Sequence, residues 1–195
     1  MSKYVVKIPR FSFDQQSVTN LISDVIANQA FKDDFVRETN SEDATVSRQR
    51  ESTSTYGYKG GATTFYQVFC HQTDFFDQLK THTGLDSCVA SMIVKTPGNM
   101  VGWHVDTFYK FRKQLREFDD TRFEIIRYMC FPLSSSRGQG FCVEGEWVTE
   151  WKAGDGITWH PSAGHCGVNA GTEVAATINC TGLIEKEKFQ ELLLI

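Results

Sequence analysis

The sequence lacks any apolar run close to the roughly 18 residues that a membrane-spanning helix requires, so no helical span is expected. Its amino terminus, MSKYVVKIPRF, lacks the long hydrophobic stretch and small-residue cleavage site of an export signal, and the expected location is the cytoplasm. None of the six cysteines (Cys70, Cys88, Cys130, Cys142, Cys166 and Cys180) belongs to a C-x-x-C pair. A chain this long folds without disulfides, so they are read as reduced thiols. Basic charge is not in excess: 20 Lys and Arg stand against 24 Asp and Glu, a formal charge of -4. General attraction for nucleic acid or an anionic membrane is therefore not expected, and any such contact would have to be local. Internal repeats are absent, which excludes a solenoid. The triplet Asn179-Cys180-Thr181 fits a glycosylation acceptor, but with no secretion signal it reads as a chance match in a strand.

What is present is an ordinary globular composition, 41% hydrophobic and 23% charged, over 195 residues, which sets the expectation of one domain spanning 1–195. Val18, Leu21, Ile22, Val25 and Ile26 recur at helical spacing, with Ser12 and Gln15 offering a capping box before them. From Thr39 to Thr64 the chain turns to Ser, Thr, Glu, Arg and Gly and cannot bury much surface; a lid or a disordered loop is expected there. A short helix is predicted around Thr73 to Thr81, with Phe75, Phe76 and Leu79 facing inward.

Beyond residue 87 the character changes to short runs of β-formers separated by turn signals. These are CVASMIVK, MVGWHVD, RFEIIRYMCFPL, GFCVEG, EWVTEW, GITWH and EVAATINCTGLI. Short strands with tight turns, and no helices of crossover length between them, predict an antiparallel sandwich or barrel rather than a parallel α/β sheet. The expected fold is mainly β with flanking α-helices: a helical part over about 1–87, then a double-stranded β-helix, the cupin-like jelly-roll, over about 88–184. Thr107 to Arg122 interrupts the strands, and Phe108, Phe111, Leu115 and Phe118 have helical spacing there, an insertion placed to cover a pocket.

His104 and Asp106 are two apart in the predicted strand MVGWHVD, and alternation along a strand sends both side chains to one face. Two histidines and a carboxylate on one face of an octahedral ion, with other positions open, suit non-haem iron(II) doing oxygen chemistry. The third ligand must come from elsewhere. His165 is best placed, following the turn Pro161-Ser162-Ala163-Gly164 and beginning the next extended run; His160 is its rival.

This pattern, an H-x-D followed by a distant histidine, resembles the Fe(II)/2-oxoglutarate-dependent dioxygenases over roughly residues 88 to 184. Within that superfamily RYMCFPL, the W-x-x-G-D at Trp151 to Asp155, and HCGVN at His165 to Asn169 look most like the aspartyl/asparaginyl β-hydroxylases and free-proline hydroxylases. The resemblance implies that His104, Asp106 and His165 hold Fe(2+) and that 2-oxoglutarate chelates it. Molecular oxygen and a small-molecule or peptidyl substrate would complete the reaction, with decarboxylation to succinate driving hydrogen abstraction from the substrate.

Many members carry a basic residue about ten positions beyond the distal histidine, where it grips the cosubstrate's far carboxylate; here that position is Ala175. A buried carboxylate needs a compensating cation or several hydrogen bonds. Arg127, a charge within the apolar strand EIIRYMCF, is the expected substitute, because a guanidinium binds a carboxylate through two parallel hydrogen bonds. Thr177 and Asn179 would add hydrogen bonds if their strand faces the pocket. The absence at Ala175 also supports an alternative, a cupin-like metalloenzyme that does not use 2-oxoglutarate; a non-catalytic jelly-roll binding module is the third reading.

Other features carry less. His165 and Cys166 are neighbours in an extended run and point to opposite sides, so a thiol nucleophile with its base is not expected. The basic and aromatic residues Tyr109, Lys110, Phe111, Arg112, Lys113 and Arg116 read first as the solvated face of a lid helix, and only second as a surface for an anionic substrate or single-stranded nucleic acid. Trp103, Trp147, Trp151 and Trp159 read as sheet packing.

Overall fold

A computed structural model describes residues 4–28, 32–33, 64–69, 74–115 and 117–193. The expected lid or loop over Thr39 to Thr64 lies outside the described residues except for Thr64 itself. In chain order the elements are β1 (Val5–Ile8), α1 (Gln15–Asn28), β2 (Lys32–Asp33), β3 (Thr64–Phe69), α2 (Asp74–Thr83), β4 (Asp86–Lys95) and β5 (Met100–His104). Then follow α3 (Tyr109–Gln114), β6 (Phe123–Cys130), β7 (Gln139–Val143), β8 (Glu146–Val148), β9 (Gly156–Trp159), β10 (His165–Asn169), β11 (Ala175–Glu185) and α4 (Lys186–Leu193).

The strands form two antiparallel sheets. The major sheet runs β1-β9-β6-β11-β4-β3-β2 and the minor sheet β5-β10-β7-β8. Helix α1 packs on the major sheet through Val18, Ile22 and Val25, one turn apart on a single stripe. Burying each such side chain contributes about 1.5–3 kcal/mol. The α1 stripe, Leu79 of α2 and Phe189 of α4 share one core cluster with Met92, Val94, Ile126, Tyr128, Ala176, Ile178 and Cys180. The alternate residues of the same strands point the other way, into the space between the sheets. On β11 those are Thr177 and Asn179, and on β6 Arg127 and Met129. The central strand β11 is therefore buried on both faces, apolar under the helices and polar between the sheets.

Several expectations need correction. The part before residue 87 is not simply helical: β1 pairs with β9 and β3 with β4, extending the major sheet at both edges. A partner far along the chain makes β1 a strand, and local pattern carries no trace of that. Helix α1 is capped by Asp14, whose carboxylate accepts from the Ser17 backbone N–H at 3.1 Å, and not by the Ser12 and Gln15 box. Strand β5 ends at His104, because its ladder partner β10 begins at His165, directly opposite, and Val105 has no strand to pair with. EWVTEW is a strand only over Glu146–Val148. Trp151 then turns in to stack on Phe131, ring centroids 4.3 Å apart, with its indole N–H donating to the Leu133 carbonyl at 3.0 Å. The carboxy-terminal helix α4 was not expected. No helix among the described residues is long and apolar enough to cross a membrane.

Candidate metal centre

His104 and His165 meet because β5 and β10 are antiparallel neighbours with these two residues in direct register, and their ring centroids are 4.2 Å apart. Asp106 lies past the end of β5, yet the expected alternation holds, with Val105 facing out and Asp106 on the side of His104. The chain leaves the ladder after His104, Val105 turns out to solvent, and the Asp106 carboxylate lies toward the Nε2 atoms of both rings. One ligand atom from each of the three residues lies within 4.8 Å of the others. His165 Nε2 is 3.6 Å from Asp106 Oδ2, and His104 Nε2 is 4.0 Å from Asp106 Oδ1.

The protonation of the two rings follows from their neighbours. A carbonyl oxygen only accepts, so the Nδ1 of His104, 2.8 Å from the Gly102 carbonyl, carries the hydrogen. The Nδ1 of His165 donates in the same way to the Ala163 carbonyl at 3.1 Å. Each Nε2 then presents a lone pair toward Asp106, the tautomer a metal ligand requires. Burial, reinforced by the nearby His104, pushes the His165 pKa down to about 3, so this ring is neutral at physiological pH. Phe141 and Trp159 wall it in, with ring centroids 5.7 and 4.8 Å from its own.

Burial is the largest influence on Asp106 and opposes its charge, but the Arg127 guanidinium together with His165 and His104 outweighs it and holds the carboxyl below the usual carboxylate range. Arg127 Nη1 sits 2.8 Å from Asp106 Oδ1. The other carboxylate oxygen, Oδ2, is buried and has no hydrogen-bond partner among the described residues. An ionised oxygen left so is costly, and it points to a missing positive ligand. Two imidazoles and one carboxylate, each held by a further hydrogen-bond partner, fit a divalent transition metal.

Arg127 therefore reaches the site, where its guanidinium is engaged with Asp106. Its Nε contacts the Thr181 hydroxyl at 3.4 Å, and it lies over the Phe108 ring at 5.5 Å. Phe108 caps α3 in a left-handed conformation, φ 51°, and packs with Phe111, Ile125 and Leu183. The insertion thus bears on the site through one aromatic ring. Arg112 and Lys113 on α3 are exposed, as a solvated face would be.

Thr177 and Asn179 line the same cavity as His104, His165 and Arg127. Asn179 is buried, which removes it as a glycosylation acceptor, and its Oδ1 has no hydrogen-bond partner among the described residues. His160 lies outside: it is exposed, with Nδ1 2.7 Å from the Ser162 hydroxyl. Cys166 faces Cys142 across β10 and β7, and burial pushes its thiol up to about 11, so it is no nucleophile. The W-x-x-G-D motif is structural. Gly154 adopts φ +91°, and a Cβ there would lie 2.0 Å from the Phe11 carbonyl oxygen, which accepts no such neighbour.

One charged residue of the cavity escaped sequence reasoning. Lys95, at the end of β4, is 4% exposed and lines the cavity with Thr177 and Asn179. Burial pushes its pKa down to about 8, and its ammonium forms no ion pair or hydrogen bond among the described residues. Its signal was parity: Ser91, Ile93 and Lys95 alternate with the apolar Met92 and Val94 that face the helices.

The cavity itself measures about 30 Å³. That volume holds about one or two waters, so a larger ligand enters only if lining side chains give way. A wider groove, about 570 Å³, lies on the minor sheet around Gly140, Trp147 and Val168, but it contains none of the three metal-ligand candidates.

No family model matches the sequence, and no curated protein does. Among solved structures, the non-haem α-ketoglutarate-dependent epimerase SnoN from nogalamycin biosynthesis matches with a TM-score of 0.56 at 12% identity, over 92% of this chain and 77% of that one. The chain has a cupin-like jelly-roll fold. A predicted oxalate decarboxylase from Thermotoga maritima matches at 15% identity, TM-score 0.40, over 62% of this chain and 82% of that one. A cupin 2 conserved barrel domain protein from Salinispora arenicola matches at 13% identity, TM-score 0.37, over 60% and 75%. At these identities the likeness is one of fold. Within the jelly-roll, β5 and β10 of the minor sheet supply both histidines, while β4, β6 and β11 of the major sheet supply Lys95, Arg127, Thr177 and Asn179.

Proposed function

We propose that this jelly-roll protein is a non-haem iron(II)- and 2-oxoglutarate-dependent dioxygenase that hydroxylates a small molecule or an amino-acid side chain. The observation that carries the reading is the buried Asp106 Oδ2, without a hydrogen-bond partner among the described residues and close to two imidazoles whose Nε2 atoms lie toward the carboxylate. Three protein ligands leave coordination positions open, as a catalytic site requires and a closed structural site does not. A 2-oxoglutarate-dependent role is compatible with the same fold in SnoN, whose name records dependence on α-ketoglutarate.

Bound iron would supply redox chemistry with oxygen at the open positions. The residues do the rest. The Gly102 and Ala163 carbonyls fix both imidazoles in one tautomer and rotation. Arg127 holds Asp106 ionised and directs Oδ2 toward the histidines. Phe141 and Trp159 exclude water from the His165 side, which raises the strength of every charge interaction in the cavity. Lys95 and Arg127 give the cavity the positive charge that an anionic cosubstrate needs.

The cavity's small volume favours a second reading, a jelly-roll metalloenzyme that acts without 2-oxoglutarate. Anaerobic titration of the iron(II)-loaded protein with 2-oxoglutarate separates the two. The expected result is a weak visible charge-transfer band in the wild type and none in Asp106→Ala. Iron uptake with no band at any concentration would remove the 2-oxoglutarate reading in favour of the second.

A further inference from the structure

The imidazole of His165 takes its orientation from the Ala163 carbonyl, to which its Nδ1–H donates at 3.1 Å. That carbonyl and the Gly164 N–H belong to one peptide plane, so whatever holds the N–H also aims the carbonyl. The corresponding plane behind His104, between Gly102 and Trp103, lies inside β5. The plane behind His165 lies before β10 begins, where the strand pairing is ending. Glycine at 164 adds conformational freedom at that point.

What holds this plane is a side chain from the hairpin between β7 and β8. Val143 pairs with both His165 and Glu146, so the hairpin loop consists of Glu144 and Gly145. Both have positive φ, 47° and 86°, as in the primed hairpin turns that favour Asn or Gly at their first central position. A glutamate held left-handed there is disfavoured, and such outliers persist where the surroundings hold them. The rung beyond Val143 and His165 joins Glu144 to Gly164. A hydrogen-bonded rung normally exchanges two backbone bonds. Here one is backbone: the Glu144 N–H donates to the Gly164 carbonyl at 2.9 Å. The return bond, from the Gly164 N–H, goes instead to Oε1 of the Glu144 carboxylate. A bond to a carboxylate is stronger than the neutral one it replaces. Trp103 packs against the same glycine, since a Cβ built there would lie 2.7 Å from the indole ring.

We propose that Glu144 is a positioning residue for His165, acting through the Ala163–Gly164 peptide: its carboxylate fixes the Gly164 N–H, the Ala163 carbonyl thereby fixes the imidazole in its Nδ1–H tautomer, and Nε2 is turned toward the metal position. This rests on the metal-centre reading of His104, Asp106 and His165 and adds a carboxylate from outside the ligand set. It is the peptide-mediated counterpart of a carboxylate bonded directly to a metal-ligating histidine. Hydrogen bonds in such a chain polarise one another, so the relay also makes Nε2 a better donor to a metal.

The test compares Glu144→Gly with Glu144→Gln in the full chain. Glycine removes the carboxylate yet suits a left-handed turn, so the melting point is expected to stay near wild type. Glutamine restores an acceptor oxygen at the same reach. Zinc(II) affinity is measured by competition with a chromophoric chelator, and nitrogen NMR of the metal-free protein reports the tautomer of each histidine. Glu144→Gly should weaken zinc(II) binding by about 10- to 100-fold. It should also turn His165 from a single Nδ1–H form into a mixture while His104 is unchanged. Glu144→Gln should recover most of both. A His165 that keeps its single tautomer in Glu144→Gly overturns the relay, whatever happens to affinity or melting point. A mixed tautomer with wild-type zinc(II) affinity overturns its role at the metal. If the wild type binds no zinc(II) while the His165 tautomer still depends on Glu144, the metal-centre reading falls and the relay stands.

Discussion

Arg127 and Asp106 form an ion pair, Nη1 to Oδ1 at 2.8 Å, in which the carboxylate is 6% exposed and its other oxygen has no hydrogen-bond partner among the described residues. The pair splits the carboxylate into two functions: one oxygen is held by the guanidinium and the other is presented to His104 and His165. Arg127→Met should therefore lower affinity for divalent metal by about 10- to 100-fold without abolishing it, the usual cost of removing a group that orients a ligand. Competition with a chromophoric chelator measures this. An unchanged affinity would show that Asp106 is placed by its own loop alone.

The choice between the two histidines after β9 is equally direct. His165→Ala should eliminate tight metal binding, whereas His160→Ala, at an exposed ring turned to Ser162, should leave it at the wild-type value. Isothermal titration of both variants with iron(II) under nitrogen, or with a redox-inert divalent metal, decides it.

Lys95 makes a stability prediction opposite to that of most core substitutions. Its folded pKa, about 8, is below the ordinary value of 10.5, so the folded chain gives up a proton more readily than the unfolded one. The unfolded state then binds more protons between these two values, and stability should rise as pH increases from about 8 to about 10.5. Below that window the buried charge costs on the order of 3 kcal/mol. Lys95→Met should accordingly stabilise the metal-free protein at pH 7 and flatten its stability profile above pH 8, as read by urea denaturation. A loss of stability at pH 7 would mean that the amine is compensated.

Gly154→Ala should be severely destabilising, by more than about 3 kcal/mol, since it combines a left-handed backbone with a steric collision. The added Cβ would fall 2.0 Å from the Phe11 carbonyl oxygen, separating the 151–155 turn from the segment that follows β1. Thermal unfolding tests this, and a melting point near wild type would count against it.

Much of the site was legible because it depends on short-range pattern. H-x-D, a turn-flanked histidine, and alternating Thr177 and Asn179 in an otherwise apolar strand are all visible in one dimension. The core strands from β4 to β11 were legible for the same reason. What escaped depends on pairing at a distance. β1 and β3 are strands because β9 and β4 offer them edges, and Lys95 lies opposite Ala175 only through the register of β4 on β11. The alternation that pairs Asp106 with His104 holds, but Asp106 lies beyond the strand's end, and the local end of a ladder is not encoded in the residues that leave it. Arg127 was correctly placed near the pocket, but its partner across it, Asp106, was invisible without the fold.

The division of the cavity between two sheets has a mechanical consequence. The histidines ride on the minor sheet, and the cationic and hydroxyl groups ride on the helix-backed major sheet. A molecule that engages both ends would therefore act as a tie across the barrel, coupling the opening of one sheet to that of the other. Metal alone would protect β5 and β10. A bridging dicarboxylate would extend that protection to β4 and β11, and the barrel's own breathing would act as the gauge of ligand length.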